Sequence, residues 1–252
     1  MRWLYGAWLG VIVWFGGVCP GGATGQVPRD CDQLVVAVSE GWDGATGRLM
    51  RFERGKRGWE AVGGPVNVLF GRNGLAWGRG VHRVPPGAPG LIKREGDGRA
   101  PAGCFVIPKV YGYDARLPSG AKFPYHQVGP WDAWSDDPAS PHYNRHVVVD
   151  PSRGVPHWFE RDKMRHGDFA YRWLVEIRHN ADPPVPGAGS AIFFHIRRGS
   201  DRKTAGCTTM AESDLVTMIR WLREKDNPHY ILLPRPDYDL LRGAWDLPVM
   251  PQ

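Results

Sequence analysis

The chain has 252 residues, 42% hydrophobic, 23% charged and 12% aromatic, a globular composition that excludes a wholly disordered polymer. Its 33 Gly and 23 Pro demand frequent turns and argue against a simple helical bundle. The net charge of +6 is spread along the chain, which suits an anionic surface or acidic substrate and not a nucleic-acid reader, whose basic charge would be concentrated.

Arg2 precedes an almost uninterrupted apolar stretch from Trp3 to Val18, broken by Cys19-Pro20-Gly21-Gly22 and followed by the small residues Ala23-Thr24-Gly25. That layout predicts a signal peptide over residues 1–25, with an apolar stretch short for a membrane span. The protein is therefore expected to be exported, with no stable membrane insertion after cleavage. An uncleaved anchor is the alternative. Residues 26–252 are expected to form a single domain.

Strand signals come next. Leu34 to Val38 is an apolar run, and Arg48 to Glu53 a returning strand with polar-apolar alternation. Gly55-Lys56-Arg57-Gly58 turns into Trp59 to Val62, Val66 to Phe70 follows, and then Phe105 to Ile107. Residues 115–145 lack periodicity and gather Tyr125, Trp131, Trp134 and Tyr143, the pattern of a functional loop. Val147 to Val149, Trp173 to Ile177, Ala191 to Phe194 and Tyr230 to Leu233 complete the strands, the first three as core strands. The fold class expected is mainly β (α+β).

One helix is expected, from Met210 to Lys225, because Leu215, Met218, Ile219 and Leu222 share one face. Thr209-Met210-Ala211-Glu212 reads as a capping box with Thr209 as N-cap. Cys207 would then lie just ahead of a helix N-terminus, and Arg197, Arg198, Arg202 and Lys203 would surround it with positive charge. Both effects favour thiolate. The strand ending at Phe194 delivers His195, so a base at a strand end faces a nucleophile at a helix start. Thr204-Ala205-Gly206 lets backbone amides approach an oxyanion.

With Cys19 removed, three cysteines remain, an odd number in an oxidising compartment. No C-x-x-C or H-E-x-x-H occurs. His142 and His146 are four apart but lie where loop enters strand, so no metal site is expected, and no cofactor.

The stretch Phe193-Phe194-His195 … Thr204-Ala205-Gly206-Cys207-Thr208-Thr209-Met210 resembles the active-site motif of the L,D-transpeptidase (YkuD-like) catalytic-domain family. Gly96-Asp97-Gly98-Arg99-Ala100-Pro101-Ala102-Gly103-Cys104-Phe105 is similar to its G-x-x-x-T-P-x-G-x-F segment. Gly71-Arg72-Asn73-Gly74 and Tyr143-Asn144-Arg145 resemble one branch of it. The resemblance implies a strand-dominated mixed sandwich with one amphipathic helix after the cysteine. It implies a periplasmic enzyme acting on peptidoglycan stem peptides, with Cys207 as nucleophile, His195 as base, and amides near Gly206, Cys207 and Thr208 as oxyanion donors. Two departures stand out: Ala205 where many members carry a second His, and Thr209 where many carry Arg or Asn. Transfer to an amine acceptor is the activity implied. Hydrolysis of the same stems, a wall-binding protein without turnover and a zinc peptidase are the alternatives. If Cys207 stays a thiol, as the resemblance implies, Cys31 and Cys104 are left as a candidate disulfide. The long loop, through Trp131, Trp134, Asp136, Asp137, Tyr143, Asn144 and Arg145, is expected to border the donor groove.

Overall fold

A computed structural model describes residues 27–251; the expected signal peptide lies outside them. Eleven strands form one mixed sheet. In chain order they are β1 (Gln33–Ser39), β2 (Thr46–Gly55), β3 (Gly58–Leu69), β4 (Leu75–Trp77), β5 (Ala100–Val106), β6 (Val110–Gly112) and β7 (Tyr125–Gln127). After these, β8 (Asp132–Trp134) and β9 (His146–Val148) form a separate antiparallel pair. The main sheet resumes with β10 (Trp173–Glu176), β11 (Phe193–Ile196), β12 (Thr208–Met210) and β13 (His229–Pro234). Its order is β4-β5-β13-β1-β2-β3-β12-β11-β10-β6-β7. Strands dominate, and helices are few: α1 (Phe159–Asp162), α2 (Glu212–Trp221) and α3 (Arg235–Leu241).

β1 is buried at every position between β13, to which it runs parallel, and antiparallel β2. Covering on both faces is why it reads as a continuous apolar run, not an alternating one. Trp59–Val62 and Val66–Phe70, two strands in the sequence reading, are one twelve-residue β3 up to Leu69, with a register irregularity opposite Leu49–Arg51 of β2. Gly58 (φ +110°) closes the β2–β3 turn, a backbone conformation that suits glycine.

The helix after the cysteine is shorter than its periodicity suggests. Leu215, Met218 and Ile219 are its buried face, and α2 packs on β11. It ends at Trp221 because buried Gln33 brackets its C-terminus. The Gln33 Nε2 donates to the Trp221 carbonyl at 2.8 Å, and its Oε1 accepts from Arg223 N–H at 2.7 Å. The capping box does not form. Thr209 lies in β12, paired with His195 on one side and Leu69 on the other, and Ala211 is the N-cap without a side-chain bond. Glu212 reaches Arg172 at 3.2 Å instead of the preceding backbone.

Two other expectations change. Ala191 and Ile192 precede β11, so His195 stands inside the strand and not at its end. Val147–Val149 is no core strand: β9 is a three-residue member of the separate pair, with Val148 exposed. Within the expected loop, β7 and β8 form, β7 on the edge of the main sheet.

Candidate active site

β11 and β12 run parallel, with Phe194 opposite Thr208 and His195 opposite Thr209. Cys207 therefore enters from the loop immediately before β12, beside the strand that carries His195. Three features pin that loop. Thr204 N–H donates to the Phe70 carbonyl at 3.0 Å, and its own carbonyl accepts from Arg72 N–H at 2.9 Å. The Thr204 hydroxyl donates to the Cys207 carbonyl at 2.6 Å and accepts from Gly206 N–H at 3.0 Å. A Cβ at Gly206 would stand 3.0 Å from the Arg99 carbonyl and 3.1 Å from Ile192 Cδ1, so the backbone passes where a larger residue would press on both.

His195 is buried. Its Nδ1 lies 2.9 Å from the Ile196 carbonyl, which can only accept, so Nδ1 carries the hydrogen and Nε2 keeps its lone pair. Burial, reinforced by the Arg198 charge, lowers its pKa to about 4, and the imidazole is neutral at pH 7. Tyr171 meets the ring edge-on at 5.2 Å, and Arg198 lies over Tyr171 while binding Asp168 through Nε at 2.8 Å.

Cys207 differs from expectation in its electrostatics. Three strand residues and Ala211 separate it from α2, so no helix dipole ends at its sulfur. Desolvation raises its thiol to about 11 against the opposing pull of the Phe193 amide, Lys93 and Arg198. The resting pair is thus thiol and neutral imidazole. Cys207 Sγ points to the Ala191 carbonyl at 3.5 Å, and Ala191 holds φ +53°, a left-handed backbone unusual for alanine.

The residue that holds Ala191 there is Asn144. Its Oδ1 accepts from Ala191 N–H (3.0 Å) and Trp134 Nε1 (3.1 Å), and its Nδ2 donates to the carbonyls of His179 (2.8 Å) and Asn180 (2.7 Å). All four hydrogen-bonding positions of the amide are used inside the protein. Asn144 therefore sits under the site and not in contact with solvent or ligand. Tyr143 is also internal: its hydroxyl donates to Glu95 at 2.5 Å and accepts from Gly189 N–H at 3.1 Å.

Two grooves meet at Cys207. The larger, about 500 Å³, is lined by His195, Arg198, Lys93, Glu95, Ser190 and Thr204 among others. The smaller, about 180 Å³, is walled by Trp134, Phe193, Met164, Arg161 and Lys163. Asp136, Tyr171, Ala191 and Cys207 belong to both. Of the loop residues expected there, Trp134 and Asp136 arrive. Trp131, Asp137 and Arg145 do not: Trp131 packs on Phe159 at 5.3 Å, Asp137 caps Ala139 N–H at 2.9 Å and stands 3.6 Å from Arg161, and Arg145 is exposed outside both grooves. Arg161, Tyr171 and Glu95 were missed, because nothing in their local sequence announces a site. Cys31 and Cys104 are buried free thiols, and the candidate disulfide is not formed; burial raises both thiols, Cys31 to about 12.

A strand-dominated fold that sets a thiol and a neutral imidazole into one groove defines a class of cysteine-containing domain. Residues 42–231 match the family model YkuD, the L,D-transpeptidase catalytic domain, and the chain belongs to that family. No curated protein and no solved structure gives a significant match. The family acts on the peptide stems of peptidoglycan. No helix among the described residues is long and apolar enough to cross a membrane.

Proposed function

We propose that the protein is an exported peptidoglycan L,D-transpeptidase that passes the acyl group of a tetrapeptide stem through a Cys207 thioester to an amine. The observation that carries the reading is that the Cys207 thiol and His195, whose Nδ1 is engaged by the Ile196 carbonyl so that Nε2 is left to act as base, line one groove. The reaction begins with transfer of the thiol proton to His195 Nε2. The sulfur attacks the carbonyl of the third stem residue, and His195 returns the proton to the departing D-Ala amine. An acceptor amine then attacks the thioester and releases the thiol.

Proton transfer on approach of substrate suits a resting pair that is neutral on both sides, because the charges appear only as the reaction proceeds. The oxyanion would be held by backbone amides around Cys207. Gly206 N–H already donates to Thr204, so an oxyanion there would compete with that hydroxyl. Thr208, whose amide the family resemblance offers as a second donor, is held in β12 with its hydroxyl 3.0 Å from that of Tyr230 in the core. The larger groove, with Lys93, Arg198, Arg202 and Lys203, suits stem carboxylates. The smaller offers a second approach to the same sulfur, which favours transfer over hydrolysis.

Incubating the purified chain with tetrapeptide muropeptides tests the reading. Cross-linked dimer supports it. Release of D-Ala with only tripeptide formed would replace it by an L,D-carboxypeptidase, and no reaction would leave a wall-binding protein.

A further inference from the structure

Away from the thiol, His126 on β7, Asp132 on β8 and His146 on β9 bring one ligand atom each into a cluster whose members all lie within 4.8 Å of one another. Both imidazole Nε2 atoms turn to the same oxygen, Asp132 Oδ1: His126 at 2.6 Å and His146 in close contact. His146 had a different partner in the sequence reading, His142, which is exposed and takes no part.

Three features distinguish this cluster from a solvated polar patch. First, Asp132 is buried, and among the described residues its carboxylate has no Lys or Arg ion pair, only the two imidazoles. A buried carboxylate with no Lys or Arg beside it is short of compensating positive charge, which a bound cation would supply. Second, its other oxygen, Oδ2, accepts from Gly129 N–H at 2.7 Å, which fixes the carboxylate with Oδ1 aimed into the cluster, as an outer-shell partner orients a metal ligand. Third, the cluster crosses between two sheets, joining β7 on the edge of the main sheet to the β8–β9 pair, beside the Asn144 network and the Trp134–Phe193 contact. β7, β8 and β9 are three residues each, β8–β9 is a two-stranded sheet of its own, and a pair this small is marginal in water without a further tie.

We infer that His126, Asp132 and His146 form a binding site for a zinc-class divalent cation that ties the β8–β9 pair to the edge of the main sheet. Two imidazoles and one carboxylate are a donor set suited to zinc, with a fourth position for water. Donors on a tetrahedral ion with bonds of ~2.0–2.1 Å lie about 3.3 Å apart, so the cluster need open by less than about 1 Å to take one. Tyr111 closes one side, edge-on to His146 at 5.3 Å and tilted toward His126 at 5.8 Å. The half-buried His126 leaves the other side accessible. Trp134 stands between the cluster and the grooves, 6.4 Å from the His146 ring and 4.9 Å from Phe193, a wall residue shared with Cys207. The ion would brace one wall of the site without touching substrate. The inference does not depend on the acyl-transfer reading.

The test is zinc retention by the full mature protein after gel filtration, with Cys207→Ala measured beside it. One zinc per chain in both, a melting temperature raised by added zinc, and loss of both effects in Asp132→Asn are expected. Asp132→Asn should weaken zinc binding by at least about tenfold. Should that variant not fold, the visible spectrum of the cobalt-loaded wild type decides the matter. Bands of a nitrogen–oxygen site without a thiolate charge-transfer band support the inference, and a thiolate band places the ion on a cysteine and overturns it. Folded wild type that retains no zinc, or folded Asp132→Asn that retains it in full, also overturns it.

Discussion

Around His195 the chain is held by sheet and core: β11 lies between β10 and β12, Phe194 packs on Tyr230 at 4.6 Å, and α2 covers the strand. The segment between β6 and β10 is held otherwise. Its own apolar cluster is Ala133, Val149 and Phe159; it meets the main sheet through Val128 and Met164, which pack with Tyr111, Leu174 and Phe193, and through polar ties: Asn144 to Ala191, Tyr143 to Glu95, Arg172 to Glu212. Yet this second region supplies Trp134, Asp136, Arg161 and Tyr171 to the grooves. On the proposed reading the chemistry would rest on the half held by the sheet, the rigid half, and the groove walls on the segment between β6 and β10. Changes in the first should cost rate with little loss of stability, and changes in the second should cost binding or local order.

The largest effect expected is on rate. His195→Ala should lower kcat/KM by about 10²–10⁴-fold, the usual worth of a placed general base, while the far-UV spectrum stays unchanged. Near-wild-type turnover in that variant would remove His195 from the chemistry. Next comes Asn144→Ala, which strands four partners at once, two of them backbone carbonyls. A loss of about 3 kcal/mol or more in urea unfolding is expected, together with lost activity, as Ala191 is freed from its left-handed backbone. A variant of unchanged stability would contradict the role given to Asn144.

Acid should reveal the rigid half. His82, His179 and His195 are buried neutral, with pKa values lowered by desolvation to about 4, 3 and 4. The unfolded chain takes up these protons from about pH 6.5 downward and the folded one does not. Stability is therefore intact above pH 6.5 and falls as pH drops toward 4, by up to about 1.4 kcal/mol per pH unit for each histidine. Urea midpoints measured from pH 7.5 to 4.5 should decline; a flat profile would contradict the burial of these rings. The smallest effect belongs to Arg145→Ala, which should leave KM for a tetrapeptide donor within about twofold. A large rise in KM would return Arg145 to the groove.

The same contrast explains what was legible in the sequence. Leu34–Val38 and Tyr230–Leu233 announced themselves because burial on both faces leaves a continuous apolar run. His195 was visible as the first polar residue after Ala191–Phe194, and Cys207 through the Gly-Cys element that resembles the family motif. Thr209 misled: its spacing to Glu212 fits a cap, but its place between His195 and Leu69 makes it a strand residue, and with the helix start moved the reason for a lowered Cys207 pKa disappears. The segment 115–145 carried no periodicity because its order comes from partners far along the chain, such as Glu95, His179 and Asn180. Asp137 and Arg145 looked as suitable as Asp136 and Arg161; only the fold separates them.

The central claim is that Cys207 is the residue acylated, from a thiol that gives its proton to His195. Intact-mass measurement after exposure to a carbapenem, which acylates cysteine enzymes of this family, addresses it directly. One adduct per chain is expected, mapped to the peptide containing Cys207, absent from Cys207→Ala and formed far more slowly by His195→Ala. An adduct on Cys31 or Cys104, or one that persists in Cys207→Ala, would contradict it.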